Sequence, residues 1–405
     1  MYFRFAWRYF KAKKSANAIN VIAWVTTIVI AFATCCQLLV LSVFNGFEGL
    51  VKSLYSSFYN DLKIIPATGK TFTLSAAQIN TINKLPFNAG MAMIAEEKAL
   101  LQNEESQTVV SLKGVDAQYK NISGVTAKIA DGDFDIGSVD TPKIVVGYGI
   151  QNAASINLSE AFPTSVVTLI LPKKSTTTDP ADAMSEGNAR ASGVFSIQQE
   201  IDNQYAITNI DFVKQQMGFA VDEFSAAEIK LTDKADLEEA KTALEKLVGK
   251  SFTVQTRFEQ NANLYNTMRL EKWAIYAVLT LILIIAAFNM VSALTMLVLE
   301  KRKDISILRS MGTTKAGIRK IFLAEGLLLG IIGAAMGILL ALLICLLQLK
   351  FHLIKISGGS FLIDYFPVKL IGTDFLMVAG TAISIAFLAS WFPAGKAAAQ
   401  KIELK

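Results

Sequence analysis

The residue types that carry out most enzyme chemistry are sparse in this sequence. The chain of 405 residues has one histidine, His352, and three cysteines, Cys35, Cys36 and Cys345. A zinc site needs several His or Cys ligands that converge, and a nucleophilic triad needs a histidine with partners on both sides. All three cysteines lie in apolar stretches, so a disulfide framework is not expected either. The sequence therefore predicts neither a metal site built from these ligands nor a histidine-based catalytic centre.

Two other patterns could bind phosphate or move protons. Gly249–Ser251 matches the end of a phosphate-binding P-loop, but that loop requires an earlier glycine at the position that Leu244 occupies. The carboxylate pairs Glu96–Glu97 and Glu104–Glu105 could serve acid–base chemistry. Adjacent carboxylates on an exposed strand or loop are usually only solvated, and we favour that interpretation here. We expect no enzymatic activity and no cofactor in the chain itself.

Four long apolar segments dominate the chain, which is 52% hydrophobic and only 18% charged. They are Ile19–Val43, Ile275–Leu299, Ile321–Leu349 and Thr373–Phe392. Each is long enough to cross a bilayer as a helix, which needs about 20 residues. The region between the first and second segments alternates strand and helix patterns. The predicted fold class is an α-helical membrane protein with four transmembrane helices plus a large α/β (α+β) domain inserted between the first and second helices.

The basic residues are concentrated beside these segments. Residues 1–18 carry Lys and Arg but no acid, and residues 300–320 and 394–405 also have more basic than acidic side chains. Short loops rich in Lys and Arg mark the cytoplasmic side of a membrane. Both termini are therefore predicted to be cytoplasmic, with residues 46–270 and 350–372 outside. The excess basic residues behind the net charge of +5 lie beside the apolar segments, so no nucleic-acid partner is expected.

The predicted order of segments covers the whole chain. It runs through an amphipathic cytoplasmic segment (1–18), transmembrane helix 1 (19–45), an outer domain with a stalk (46–270), helix 2 (271–299), a cytoplasmic loop with a short helix (300–320), helix 3 (321–349), a short outer loop (350–372), helix 4 (373–393) and a cytoplasmic tail (394–405). Within the outer domain, the polar run Pro172–Ser192 predicts an exposed loop or a long hairpin tip. Glu259–Lys272 predicts a helix that continues into helix 2 as a stiff stalk.

Two helical patterns in the C-terminal half stand out. In the loop 300–320, apolar residues and a glycine recur at helical spacing, at Ile305, Leu308, Met311 and Gly312. This predicts a short helix at the membrane surface whose cationic face meets lipid headgroups or a partner, although a plain basic loop would show similar charges. In the third segment, Gly326, Gly330, Gly333 and Gly337 share one helix face. Small residues at this spacing let helices approach closely, and we favour packing within the chain.

Three segments carry a resemblance to a known family. Residues 42–48 read SVFNGFE, residues 286–292 read AAFNMVS, and residues 299–312 read LEKRKDISILRSMG. Together with the order of spans, these segments resemble the permeases of the lipoprotein-releasing ABC transporter, the Lol system, within the wider superfamily of MacB-like and FtsX-like permeases. The resemblance covers the whole chain. It implies a multi-pass protein of the bacterial inner membrane with its large domain in the periplasm.

The resemblance also implies partners. Such permeases pair with a second permease subunit, identical or paralogous, and with a cytoplasmic ABC ATPase dimer that binds ATP and Mg²⁺. Residues 301–312 are implied to be the coupling helix that sits in the ATPase. The residues assigned to that contact are Glu300, Lys301, Arg302, Asp304, Ile305, Leu308, Met311 and Gly312. The lipoprotein substrate would pass to a periplasmic lipoprotein carrier, and the run Pro172–Ser192 falls where one permease type carries a hook for that carrier.

A substrate path is expected where the first span leaves the membrane and meets the stalk. The acyl chains of a lipoprotein are hypothesised to lie against apolar residues of both elements, and lipid-facing surface is the alternative interpretation. The predicted path residues are Leu38, Leu41, Val43, Phe44, Phe47, Leu264, Met268, Leu270 and Ile275. Two other functions remain open at this point: an FtsX-like mechanotransmitting regulator of a cell-wall hydrolase, and a MacB-like efflux permease.

Overall fold

The computed structural model describes residues 17–158, 164–174, 183–355 and 365–400. The predicted amphipathic segment at the N-terminus lies almost entirely outside these residues. The chain divides into two compact units. We call Val51–Tyr265 the α/β unit, and residues 1–50 with 266–405 the helical unit.

The first helix, α1, runs without interruption from Asn17 to Phe58. Its 42 residues correspond to about 63 Å of helix, about twice the thickness of a hydrocarbon core. The sequence predicted that the span ends at residue 45, whereas the helix continues through the SVFNGFE segment. Its last turns are helical because Val51, Tyr55 and Phe58 recur at helical spacing and pack into a core of the α/β unit.

The α/β unit contains twelve strands and seven short helices among its described residues. The strands are β1 Leu62–Pro66, β2 Phe72–Thr73, β3 Asn88–Asn103, β4 Ser106–Val115, β5 Ile129–Gly132, β6 Lys143–Gly147, β7 Val166–Pro172, β8 Met184–Phe195, β9 Tyr205–Asn209, β10 Glu223–Phe224, β11 Ala226–Leu231 and β12 Phe252–Thr256. The helices are α2 Ala76–Asn83, α3 Tyr119–Ile122, α4 Tyr148–Ala153, α5 Gln199–Gln204, α6 Ile210–Met217, α7 Leu237–Val248 and α8 Arg257–Gln260.

Ten of the strands form one mixed sheet in the order β12-β1-β11-β3-β4-β9-β6-β8-β5, with β7 joined to both β3 and β8. The pairings β3-β4-β9-β6-β8-β7 therefore return to β3 and make a closed circuit, from which β11, β1 and β12 extend as an open arm. Side chains on β3 alternate between two cores. Met93 and Ala95 belong to the first core, and Ala92 and Ile94 belong to the second, which also contains Tyr55 and Phe58 of α1.

Of the two alternatives predicted for Pro172–Ser192, the hairpin fits, because β8 begins at Met184 and pairs with β7 from Val166↔Arg190 to Pro172↔Met184. Its inward positions are small residues such as Ala189 and Ala191, which hide the usual apolar alternation. The long strand β3 was missed because its Ala, Met, Glu and Leu residues favour helix, and pairing with three other strands overrides that preference.

The helical unit continues from the stalk. Helix α9 runs from Ala262 to Glu300, α10 from Arg302 to Ser310, α11 from Lys315 to Phe351 and α12 from Gly372 to Ala399. The predicted stalk helix is broken at Asn261, since α8 is a separate turn that a Thr256–Glu259 capping box begins. Four helices, α1, α9, α11 and α12, are long and apolar enough to cross a membrane. The predicted fold class, four such helices with a large α/β domain between the first and second, is confirmed.

The glycine face of α11 explains how these helices pack. A Cβ on Gly330 would stand 2.3 Å from Ala386 Cβ of α12, and one on Gly337 would stand 2.4 Å from the carbonyl oxygen of Ala31 in α1. Gly326 meets Ser390 of α12, and Gly333 meets Ile30 of α1. The four glycines therefore let α11 pack closely against both α1 and α12 of the same chain, as predicted.

Candidate coupling and substrate-path sites

The segment that follows α9 forms a compact helical corner. After α10, Gly312 takes a left-handed conformation (φ 91°) that side chains disfavour. Its N–H donates to the carbonyl of Arg309 at 3.0 Å. Thr314 then begins α11, its Oγ1 accepting from the Gly317 N–H at 3.2 Å. The end of the ILRSMG motif is therefore the glycine stop of one helix, followed at once by the cap of the next.

The inner side of α10 is fixed against the long helices. Ile305 is buried in a cluster with Leu297 of α9, Phe322 of α11 and Ala394 of α12. Leu308 is half-buried over Ile318, Ile321 and Phe322. The burial of Ile305 corrects its assignment to the ATPase contact, because its side chain lies where the apolar ends of α9, α11 and α12 meet. Leu308 is only partly buried, and its assignment to that contact stays a prediction.

The outer side of α10 carries a different apolar pair. Ile307 is 59% exposed and Met311 is 78% exposed. They stand one turn apart, with exposed Lys303 one turn before them. We call Lys303, Ile307 and Met311 the outer face of α10. Met311 was predicted as a contact residue; Ile307 was missed, although its spacing of four from Met311 is visible in the sequence.

The predicted charges surround this corner. Lys301 and Asp304 form an ion pair at 3.3 Å, while Glu300 and Arg302 are exposed. Arg309 donates a hydrogen bond from its guanidinium to the carbonyl of Gln400, which ties α10 to the end of α12. A push on α10 would therefore reach α11 through Ile305 and α12 through Arg309.

The predicted path residues do not share one surface. Leu38 and Leu41 are fully buried in a cluster with Cys35, Ala341 and Val378, inside the packed helices. This corrects their assignment as accessible path residues: the face of α1 that they occupy packs against α11 and α12. Leu264 packs against the second core of the α/β unit. Of the remaining predicted residues, Leu270 is exposed. The others are partly buried, namely Val43, Phe44, Phe47, Met268 and Ile275.

The SVFNGFE segment has a specific structural role within the helical unit. Asn45 Nδ2 donates to Asp374 Oδ2 of α12 at 2.6 Å, and Lys272 Nζ of α9 donates to Asn45 Oδ1 at 2.9 Å. Gly46 has no room for a side chain, since a Cβ would stand 2.2 Å from the carbonyl oxygen of Pro367. Phe47 packs edge-on against Phe366, with ring centroids 5.9 Å apart. The motif therefore holds α1, α9 and the start of α12 together.

A buried charge network lies in the α/β unit, where the last turn of α1 meets the sheet. Lys113 Nζ of β4 and Glu228 Oε1 of β11 are 2.7 Å apart, with side chains 2% and 1% exposed. Asn60 donates to the second oxygen of Glu228 at 2.8 Å. Lys113 also lies over the rings of Phe58 and Tyr119. Burial alone would lower the pKa of Lys113, but Glu228 outweighs it and the pKa is raised.

The predicted solvated pair Glu96–Glu97 belongs partly to this network. Glu96 accepts from Lys63 of β1 at 3.2 Å, and Glu97 pairs with Lys70 at 2.8 Å. Burial acts to raise the pKa of Glu96, and the charges of Lys63 and Lys113 overcome that effect and lower it. The prediction was wrong for Glu96 because Lys63 reaches it from β1, on the far side of β11. Within the described ranges, no three His, Cys, Asp or Glu side chains are grouped so as to hold a metal.

The match to known proteins covers both halves of the chain. Residues 276–402 match the family model described as FtsX-like permease C-terminal. This segment is therefore similar to the C-terminal part of FtsX-like permeases. It contains most of α9 and all of α10, α11 and α12, so the helical corner around α10 lies within it.

Full-length relatives extend the match to the α/β unit. The chain is 26% identical over 403 residues to the lipoprotein-releasing system transmembrane protein LolC of Xylella fastidiosa strain Temecula1, covering 96% of this chain and 95% of the relative. It is 24% identical to LolE of Haemophilus influenzae, covering 98% and 96%. The periplasmic region of MacB from Actinobacillus actinomycetemcomitans aligns with 54% of this chain and 98% of its own, at 14% identity and a TM-score of 0.37. The resemblance predicted from the SVFNGFE and ILRSMG segments is confirmed.

Proposed function

We propose that this chain is the permease subunit of an ABC transporter that extracts lipoproteins from the bacterial inner membrane and passes them to a periplasmic carrier. The observation that carries the proposal is similarity over nearly the whole chain to proteins named as lipoprotein-releasing transmembrane proteins. The layout of four apolar helices with an inserted α/β unit supports it. ATP would be bound and hydrolysed, with Mg²⁺, by a separate cytoplasmic ATPase dimer, and a second permease subunit would complete the complex.

The outer face of α10 is the proposed contact with the ATPase. Ile307 and Met311 are apolar, highly exposed and adjacent, whereas Ile305 is committed to the core of the helical unit. Exposed Lys303 adds a charge at the rim of this patch. Small exposed apolar pairs with polar rims are typical of protein contacts. The links from α10 to α11 and α12 then carry motion of the ATPase into the spans.

The energetic problem of the proposed reaction explains why such a machine needs apolar helix surface. Each buried CH₂ of an acyl chain contributes about 0.8 kcal/mol. Exposing three chains of roughly 15 such groups each to water would therefore cost on the order of 35 kcal/mol. Helix α9 offers apolar surface on its exposed side, including Leu270, Val278, Leu281, Ile285 and Phe288. We propose that the acyl chains follow this side of α9 together with Phe44 of α1, in place of buried Leu38 and Leu41.

Membrane topology is the first test. In a cysteine-free chain, Val221→Cys on the α/β unit should react with a membrane-impermeant maleimide added to intact spheroplasts, because Val221 is 93% exposed. Lys315→Cys, at the exposed start of α11, should react only after the membrane is opened. The opposite labelling pattern would show the domain to be cytoplasmic.

The deciding experiment uses proteoliposomes that contain the chain, its ATPase, the second permease subunit and a tri-acylated lipoprotein. ATP and the periplasmic carrier together should release lipoprotein into the supernatant as a complex with the carrier. A complex with an ATPase that binds but does not hydrolyse ATP is the matched control. ATP-dependent activation of a cell-wall hydrolase without any release would support the regulator instead, and ATP-dependent loss of a small molecule would support an efflux permease.

A further inference from the structure

At three successive turns of the outer half of α9, the half that begins at Ala262, polar side chains bond to α1 and α12. Lys272, Tyr276 and Thr280 stand at spacings of four and so share one face. Lys272 meets Asn45 and Asp374. Tyr276 shares a hydrogen bond with Thr381 of α12. Gln37 Nε2 of α1 donates to Thr280 Oγ1 at 3.2 Å.

The inner half of the same helix is attached differently. Leu283, Ala286, Met290 and Leu294 are buried in an apolar cluster with residues of α1, α11 and α12. Apolar packing of this kind resists separation by close fit rather than by single bonds. Helix α9 therefore has an inner half with several fully buried side chains, and an outer half held by polar bonds and by the partly buried ring of Tyr276.

The contact of Lys272 with Asn45 and Asp374 involves a buried charge. Asp374 is buried and accepts from both Asn45 and Lys272, whose Nζ lies 3.3 Å from each carboxylate oxygen. Removing one partner from a buried charge is strongly unfavourable, so Lys272 is either fully engaged or the site must rearrange. Deeper in the same layer, Gln37 Oε1 is buried and has no partner among the described residues, so its amide is held only through Nε2.

A strap closes over the same point of α1. The Lys369 N–H donates to the carbonyl of Ser42 at 2.9 Å, and Pro367 lies directly against Gly46. Ser42 is only 2% exposed beneath this strap. The chain segment that leads into α12 and the lysine of α9 thus cover the same turn of α1.

We propose that Lys272, Asn45 and Asp374 form a latch that closes the outer end of the space between α1, α9 and α12, and that the transport cycle opens it by swinging the outer half of α9 away. Because Asp374 lies at the start of α12, opening also loosens the strap that leads into α12, and the two movements together expose Ser42 and the apolar residues beside it while the inner half of α9 stays packed. The inference rests on the proposed function for the ATPase that drives opening and for what enters the space, an acylated polypeptide. The closed latch, which Asp374→Asn tests without ATP, stands without it.

The experiment measures the reactivity of a cysteine placed beneath the latch. Ser42→Cys is introduced into a chain in which Cys35, Cys36 and Cys345 are replaced, and the full complex with its ATPase is held in nanodiscs without any lipoprotein. A polar maleimide should label it slowly at rest. ATP turnover should raise the labelling rate at least about tenfold, and Asp374→Asn should do so without ATP, a change of about 1.4 kcal/mol in the opening equilibrium.

Three controls make the result decisive. Lys272→Arg keeps a cation in place and should keep the slow rate, and Glu271→Gln, an exposed neighbour, should leave it unchanged. Ala33→Cys in the apolar cluster of the inner half should stay protected in every variant. Equal labelling of Ser42→Cys with and without Asp374→Asn and ATP would overturn the latch, as would simultaneous exposure of Ala33→Cys, which indicates general loosening. Because no lipoprotein is present, failure of lipoprotein release cannot produce either outcome.

Discussion

Lys113 Nζ and Glu228 Oε1 lie 2.7 Å apart across the single strand β3 that separates β4 from β11, and both side chains are almost fully buried. The pair joins β4 to β11, and Asn60 connects it to the end of α1. Desolvation of two charges offsets much of their attraction, so such a pair specifies an arrangement more than it stabilises one. Breaking it by removing one partner has a different consequence, since the other charge is then buried alone.

Lys113→Met should therefore destabilise the α/β unit by about 3–5 kcal/mol. Lys70→Met removes the partner of Glu97, but Lys70 is 79% exposed, and such pairs contribute about 0–1 kcal/mol. Denaturant unfolding of the full chain in detergent, followed by protease resistance of the α/β unit, gives both values. Adding Glu228→Leu to Lys113→Met should recover most of the loss, and failure to recover would mean that Lys113 acts through the Phe58 and Tyr119 rings.

Glu96 predicts a dependence of stability on pH. Its pKa is lowered from the ordinary value of 4.5, so its carboxylate stabilises the folded state above that pH, and the contribution disappears as the pH falls through the lowered pKa. Glu96→Gln should cost about 1–3 kcal/mol at pH 7, and the difference from the parent should shrink below about pH 4.5. Glu105→Gln, at an exposed turn, is the matched control measured at each pH. A constant difference for Glu96→Gln at all pH values would contradict the assignment.

The two sides of α10 should respond differently to a substitution by aspartate. Ile307→Asp and Met311→Asp should abolish copurification of the ATPase while the chain stays folded, because both side chains are exposed. Leu308→Asp, and more so Ile305→Asp, should destabilise the helical unit by several kcal/mol, since each places an unpaired charge against apolar side chains. The thermal unfolding of each purified variant in detergent separates the loss of the ATPase contact from the loss of stability. Retention of the ATPase by the Ile307→Asp, Met311→Asp double variant would move the contact elsewhere.

Two neighbouring glycines of α1 offer a matched pair of substitutions. A Cβ at Gly46 would overlap the Pro367 carbonyl at 2.2 Å, whereas a Cβ at Gly49 meets only the Lys369 side chain at 3.8 Å. Gly46→Ala should cost about 1–3 kcal/mol of stability by overpacking. Gly49→Ala should be neutral or slightly stabilising, because alanine favours helix. The melting temperatures of the two purified variants compare them directly.

The sequence alone predicts those features whose signals are local. The four spans follow from apolar length, the short helix α10 from the helical spacing of Ile305, Leu308 and Met311, and the packing of α11 from its glycine spacing. Each of these is decided by residues within a few turns of one another.

The remaining features depend on residues that are distant in sequence. Whether Ile305 or Ile307 faces the core is decided by Phe322 and Ala394, and both alternatives are apolar. Lys113 and Glu228 would each be expected at the surface, and only the pairing of β4 and β11 with β3 brings them together. The burial of Leu38 and Leu41 depends in the same way on Ala341 and Val378.

The pairing of β1 with β12, from Leu62↔Thr256 to Pro66↔Phe252, joins the first strand of the α/β unit to the last one that is synthesised. At a translation rate of roughly 5–20 residues per second, β1 leaves the ribosome roughly 10–40 s before its partner. During that interval the nascent domain presents an open strand edge, which is a template for aggregation. The α/β unit can complete its sheet only when the chain has reached the start of α9. We therefore expect a chain that stops before residue 252 to be degraded or held by chaperones on the far side of the membrane.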